Sequence, residues 1–266
     1  MSEIQVSQAQ FDAIAKGGVV KITGPKGSVN ASIKTPTYTE IAVLLDESGS
    51  MGDLKNDTIG GFNTLLEEQQ KLPGAARLTV AKFDDEFSFI YENVNLAEAA
   101  KITDKDYSPR GSTKLRDSLG RLISSIESRV NALPAEQRPD RVSITIITDG
   151  MENASREWTP QAIKEKVESL QKSGWDFVFI GANQDSILTA GSLGILTSNA
   201  VNYGSNKAGV KGSYMAASMG MSATRGLVSR EADGGVLNAQ LKAAVEQTVQ
   251  NPDADLSKVA TAQSSK

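Results

Sequence analysis

The chain has 266 residues, 28 basic against 32 acidic side chains for a formal charge of -4, and 39% hydrophobic residues. That length and apolar content suffice for one large domain or two small ones, while scattered basic residues on an acidic chain leave no footprint of a phosphate-backbone binder, so nucleic acid is not expected as a direct ligand. The chain has no cysteine and no histidine, which excludes disulfides, thiol nucleophiles, thiolate zinc sites, Ser-His-Asp and Cys-His mechanisms and imidazole ligands, so any metal must be held by oxygen.

The first stretch, MSEIQVSQAQFDAIAKGG, has an acid where a secretory signal needs bases and lacks an apolar h-region. No later run approaches the ~20 residues of a membrane span, so a cytoplasmic protein without membrane contact is expected. Phe11, Ile14 and Ala15 give a short helical face, Gly17-Gly18 breaks it, and Val19 to Ile22 predicts a strand before a turn at Gly24-Pro25-Lys26-Gly27. Residues 1–38 are read as an extension packing on the main domain. Gly24 to Ser28 has the flavour of a phosphate loop without its spacing and reads as a plain turn.

Ile41 to Gly52, IAVLLDESGSMG, is an apolar run without a helical stripe, ended abruptly by an acid and small polar residues. It predicts a strand buried on both faces, reaching the carboxyl edge of a parallel sheet. Asp46, Ser48 and Ser50 alternate along an extended backbone, so period two puts all three on one side. One carboxylate and two hydroxyls facing one point suit a hard cation such as Mg2+; on its own the triplet suits a helix cap equally well. Ile59, Phe62, Leu65 and Leu66 then mark a helix stopped at Pro73-Gly74, and Arg77 to Phe83 with Phe87 to Tyr91 form a hairpin through Asp84-Asp85-Glu86. A right-handed crossover brings Asp84 and Asp85 to the edge that carries Asp46; a solvated acidic turn is the simpler reading of them.

Leu96 to Ile102 is a short amphipathic segment, and Pro109 and Gly111 frame a loop before a helix marked by Leu115, Leu119, Leu122 and Ile123. Thr113 stands at that helix's N-terminus, where a threonine alone is a cap. Arg141 to Thr148 predicts a second buried strand ending in Asp149-Gly150, the same strand-then-acid design. Ligands of such sheets lie beyond the carboxyl ends of adjacent strands at a switch point, so two acids at two strand ends are candidates for one site. A helix around Ile163, Val167 and Leu170, a strand from Trp175 to Ile180, a turn over 181–185, a short helix with Ile187, Leu188 and Leu193, and a last strand from Ala200 to Tyr203 follow. Gly204 to Lys211 nearly matches a P-loop but has Val210 where the lysine must be, so ATP binding is discarded. Met215 and Met219 lie on a last helical face with Met221 and Leu227 beyond it; after Gly235 one more helix is expected, and residues 253–266 read as a mobile tail or docking peptide.

Asp46-x-Ser48-x-Ser50, then Gly111-Ser112-Thr113 before a helix, then Thr148-Asp149-Gly150 after a strand, together resemble the von Willebrand factor A domain and its metal-ion-dependent adhesion site. The resemblance covers about 38–221, and the division expected is an extension over 1–38, this domain over 39–228 and a C-terminal helix and tail over 229–266. It implies an α/β fold, a Rossmann-like doubly wound, mostly parallel six-stranded sheet with one antiparallel edge strand and helices on both faces. It also implies Mg2+ or Mn2+ held by Ser48 and Ser50 directly, by Thr113 directly or through water, and by Asp46 and Asp149 mostly through water. One coordination position is then open to a carboxylate from a protein partner. Asp84, Asp85, Ser112, Asn183 and Asp185 are the candidate partner surface. Ser112 stands where the family often has a second glycine, which bears on the distance of Thr113 from the metal. Absence of a signal sequence and of cysteine resembles the intracellular bacterial or phage branch, whose members act as adaptors, some with AAA+ ATPases.

The function expected is therefore a metal-dependent adaptor that is not an enzyme. The alternatives are a Mg2+-dependent hydrolase using Asp46 or Asp149, for which only Lys114 and Arg110 offer local cations, and a structural virion component with a vestigial site.

Overall fold

The computed structural model describes residues 19–24, 27–32, 38–182, 186–226, 235–237 and 239–251. The chain divides into two compact units, 1–37 and 38–266. In the first, β1 (Val19–Gly24) pairs antiparallel with β2 (Gly27–Ser32), Gly24 opposite Gly27. Sequence reasoning found the first strand and the turn but not the second strand, whose only apolar side-chain types are Val29 and Ala31. The helix expected around Phe11 lies outside the described residues.

The second unit is a six-stranded sheet in the order β5-β4-β3-β6-β7-β8. Its strands are β3 (Thr39–Asp46), β4 (Ala76–Phe83), β5 (Phe87–Asn95), β6 (Arg141–Thr148), β7 (Trp175–Ala182) and β8 (Ala200–Tyr203). All pairings are parallel except β4 with β5, the hairpin edge. The helices are α1 (Lys55–Lys71), α2 (Leu115–Ala132), α3 (Pro160–Lys172), α4 (Ser186–Ser192), α5 (Lys207–Thr224) and α6 (Ala239–Gln247). Among the described residues no helix is long and apolar enough to cross a membrane.

Every residue of β3 is buried, as a central parallel strand covered on both faces must be. Period two divides it. Ile41, Val43 and Leu45 pack with Phe62 and Leu66 of α1, Ala216 of α5 and Leu241 and Val245 of α6. Ala42 and Leu44 pack with Leu119 and Leu122 of α2, Val167 of α3 and Ala190 of α4. The strand order reverses at β3: one connection leads through α1 to β4, and β6 lies on the other side. The carboxyl ends of β3 and β6 therefore open the crevice where such sheets bind ligands.

Several local readings change. Leu96 to Ile102 forms only a single 3-10 turn, Leu96–Glu98, because the chain must reach the far edge of the crevice as irregular backbone. The P-loop look-alike is the end of β8 and the start of α5, whose cap Asn206 accepts from Gly209 N at 2.9 Å. Met221 lies inside α5, and Leu227 falls outside the described residues. In α6, Leu241 and Val245 are 3% and 0% exposed in the core, so this helix completes the domain rather than following it.

Glu40 was placed outside the strand by sequence reasoning but is a fully buried member of β3. Its Oε1 accepts from Arg129 Nη2 at 2.7 Å and from Thr79 Oγ1 at 2.9 Å, while Oε2 has no partner. Burial raises the Glu40 pKa against the pull of Arg129. Arg129→Met strands this acid, and urea unfolding should show a loss of about 3–5 kcal/mol; Glu40→Met/Arg129→Met should recover most of it, because a buried pair is costly mainly when half of it is removed.

Candidate metal centre

The site begins where β3 leaves the sheet. Asp46 is buried and Ser48 keeps an extended backbone, φ -65° and ψ 164°, so the alternation holds as far as Ser48; Ser50, expected on the same extended run, stands instead in the 3-10 helix Gly49–Leu54, whose turn brings it beside Ser48. Ser48 N donates to Asp46 Oδ1 at 2.7 Å, and Thr148 Oγ1, at the end of β6, donates to Asp46 Oδ2. Ser48 Oγ and Ser50 Oγ are 3.1 Å apart, and Ser50 Oγ donates to Asp149 Oδ1 at 2.6 Å. The triplet and the second acid thus meet across the two strand ends.

Thr113 arrives from the opposite side, 3% exposed. A methyl built on Gly150 would lie 2.7 Å from Thr113 Oγ1, 3.2 Å from Asp46 Oδ2 and 3.4 Å from Ser48 Oγ. One point, kept clear of protein atoms by the absence of a side chain at 150, is therefore faced by oxygens from two separate chain segments, the end of β3 and the loop of Thr113. With Ser50 and Asp149 linked to Ser48 by hydrogen bonds beside this point, two carboxylates and three hydroxyls gather in the crevice as a donor set for a hard divalent cation. Among the described residues no group of three or more acids gathers to hold a metal elsewhere.

The electrostatics point the same way. Burial pushes the Asp46 carboxyl up to about 6, against the Thr148 and Ser48 hydrogen bonds and with a further push from the Asp149 charge. Burial also raises Asp149, against the Ser50 hydroxyl. Among the described residues no lysine or arginine pairs with either acid, so positive charge is what the crevice lacks.

The loop carrying Thr113 is held by groups that sequence reasoning passed over. By the parity that puts 46 and 48 on one side, Glu47 faces the other. Its Oε1 accepts from Lys82 Nζ at 3.1 Å and from Ser108 N, and its carbonyl accepts from Arg110 N at 2.7 Å. Gly111 sits at φ +69°, which glycine adopts freely. Ser112, in place of a second glycine, donates through its hydroxyl and its N–H to Asp85. Asn153 Oδ1 accepts from Thr113 N at 3.0 Å, and Asn153 N donates to Thr113 O at 3.2 Å. Tyr107 Oη donates to the Asp46 carbonyl at 2.5 Å.

The candidate partner residues separate accordingly. Asp84 is 2% exposed, bound to Arg110 Nε at 2.8 Å and to Glu86 N at 2.6 Å, so burial removes it from any partner surface and leaves it bracing the Thr113 loop. Asp85 is exposed and holds Ser112. Asn183 and Asp185 lie outside the described residues.

The Asp149 loop is pinned from α2 by Asp117, whose carboxylate accepts from the N–H groups of Arg156, Glu157 and Trp158 at 2.8, 2.9 and 2.8 Å. Burial raises its pKa, but these bonds to the charged form outweigh burial and hold it below the ordinary value. A depressed carboxyl contributes stability above the ordinary carboxylate range and loses it as pH falls through that range. Asp117→Asn should lower the melting temperature at pH 7, and its deficit against the wild type should shrink as pH falls below about 4; melts recorded across pH 3–7 check this.

No family model and no curated protein matches the sequence. Solved structures do. Proximal thread matrix protein 1 from the mussel byssus is 15% identical, with a TM-score of 0.50 over 69% of this chain and 48% of that one. A von Willebrand factor type A structure from Catenulispora acidiphila is 13% identical, with a TM-score of 0.47 over 72% and 44%. Another structure of the mussel protein, described as having a zinc-occupied adhesion-site motif, is 15% identical with a TM-score of 0.41 over 65% and 42%. The chain spans about half the length of the structures it matches. The likeness to the first of these structures shows a shared fold, and the strand order of the second unit is that of the Rossmann-like sheet expected from the resemblance to the von Willebrand factor A domain.

Proposed function

We propose that this chain is a divalent-cation-dependent protein-binding module whose partner contributes a carboxylate. The observation that carries this reading is the convergence of Thr113 Oγ1, Asp46 Oδ2 and Ser48 Oγ on the point beside Gly150. Ser48, Ser50 and Thr113 would hold Mg2+ or Mn2+ through neutral hydroxyls, with Asp46 and Asp149 contributing the only formal charges. A cation so held stays electrophilic and takes an anionic oxygen from outside.

The groups around the crevice favour binding over hydrolysis. With no histidine in the chain, general base work falls to two acids that the metal itself engages. The local cations are occupied: Arg110 pairs with Asp84 and Glu86, and Lys114 Nζ donates to the Asp85 carbonyl at 2.7 Å. Intracellular assembly components, AAA+ ATPases among them, are the partner class that this adaptor reading suggests.

Added Mn2+ or Mg2+ should stabilise the fold by ~2.7 kcal/mol at about 100 times the dissociation constant, read as a rise in melting temperature. Gly150→Ala places a methyl among the crevice oxygens and should abolish the shift. Gly52→Ala, where nothing lies within 4 Å of the new methyl, should keep it. Saturating metal that leaves the wild-type melt unmoved would overturn the reading. Thr113→Ala and Asp149→Ala should each remove metal-dependent partner capture while the sheet stays folded by circular dichroism.

A further inference from the structure

Met151 lines the same concavity as Ser48, Ser50, Thr113 and Asp149, yet it is 69% exposed. Its neighbours on both sides are fixed. Gly150 N donates to Thr148 Oγ1 at 3.0 Å. The Glu152 carboxylate accepts from Arg116 N at 2.8 Å, Ala154 N at 3.0 Å and Ser155 N at 2.7 Å, and Asn153 holds Thr113 through two hydrogen bonds. A large apolar side chain is thus presented to solvent beside the cation position by a pinned loop, not left there by a loose one.

A thioether is a soft donor and the oxygen-lined centre suits a hard cation, so Met151 adds nothing to the coordination. What it offers is contact area, of a kind that packs against apolar groups of varied shape. The edge is also asymmetric about the metal position. Past β7, the strand paired with β6, the exposed Ile187 and Leu188 open α4, whereas on the β4 side the exposed residues are Asp85, Glu86 and Arg110. The concavity measures about 440 Å3, within the ~300–1,000 Å3 range of pockets that enclose a whole small ligand, so it accommodates more of a partner than one carboxylate.

We propose that the partner segment carries a large apolar side chain within two residues of the carboxylate that completes the metal shell, and that this side chain covers Met151, which thereby selects among acidic segments. The spacing follows from the chain itself. Met151 stands two residues from Asp149, and two residues of extended chain span at most about 7 Å in either molecule. A charged side chain set against the thioether would lose hydration without gaining a partner. A second acid on the opposite flank would meet Asp85 and Glu86. The segment recognised is therefore apolar on one side of its acid and neutral or basic on the other.

This inference deepens the metal-dependent binding reading and rests on it, and its test separates the two. The probe is a displayed library of random peptides built around one fixed aspartate, selected on the full chain in saturating Mn2+ and eluted with chelator. The wild type should enrich Leu, Ile, Phe or Met within two residues of the aspartate. A synthetic copy of the strongest peptide should bind loaded Met151→Ser about tenfold more weakly than loaded wild type, and loaded Met151→Leu nearly as well as wild type, while calorimetry shows equal Mn2+ affinity for all three. Equal peptide binding by Met151→Ser, no apolar enrichment, or no chelator-sensitive peptide from a chain that binds Mn2+ would each overturn the Met151 contact and leave the metal site standing. Weaker Mn2+ binding by Met151→Ser would overturn it too, by tracing the peptide loss to the metal. Absence of Mn2+ binding to the wild type would overturn both readings. A wild-type dimer in sedimentation that Met151→Ser dissolves would overturn the partner contact in favour of one between copies of this chain.

Discussion

Asp46 ends the central strand inside the protein, and the surroundings of the crevice answer to the cost of a carboxylate without a cationic partner there. Ionising it in a low-dielectric site is unfavourable unless hydrogen bonds or positive charge compensate. Thr148 and the Ser48 N–H compensate in part, one from the neighbouring strand and one from its own turn. The remaining deficit stays at the crevice because β3 and β6 are parallel and in register, Leu45 opposite Ile147, so that their acidic exits are brought to one height. A hairpin connection between these strands would have sent Asp46 and Asp149 to opposite edges of the sheet.

That arrangement is why the fold and the inner half of the site were legible in the sequence. Period two from Asp46 to Ser48 depends only on backbone geometry, Ser50 joins them through a 3-10 turn that the alternation did not foresee, and two apolar runs ending in an acid imply two strand ends at one edge. The six-stranded, doubly wound architecture with one antiparallel edge strand came from the family resemblance, not from any residue pattern. What stayed hidden depends on long-range partners. Glu40 reads as a strand boundary because its charge is offset by Arg129, 89 residues away. Asp117 reads as an exposed helical acid because the N–H groups it accepts come from residues 156–158. Asp84 and Asp85 form an acidic turn of a familiar kind, and only the position of Arg110 and Ser112 shows that one is buried and both hold the Thr113 loop.

Thr113 itself is positioned by contacts on three sides. Gly49 N donates to the Gly111 carbonyl at 3.2 Å, Lys114 N donates to the Asp84 carbonyl at 3.3 Å, and Asn153 exchanges two hydrogen bonds with Thr113. The triplet turn, the β4–β5 hairpin and the loop after β6 therefore each hold the same short segment. Ser112 can replace a flexible glycine there because its hydroxyl is anchored rather than free, and the one residue that needs a positive φ is Gly111.

Glu47 gives this arrangement a mechanical character. It lies between two residues of the cation site, yet its own side chain and backbone grip Lys82, Ser108, Arg110 and Phe83. Alternate residues of this short segment are fixed to different bodies, Asp46 and Ser48 to the crevice and Glu47 to the hairpin and the loop before α2. Through Glu47 the turn of Ser48 is thus tied at one residue to β4, by Lys82 and Phe83, and to the loop of Arg110, so the floor of the crevice and its charged rim share a single anchor.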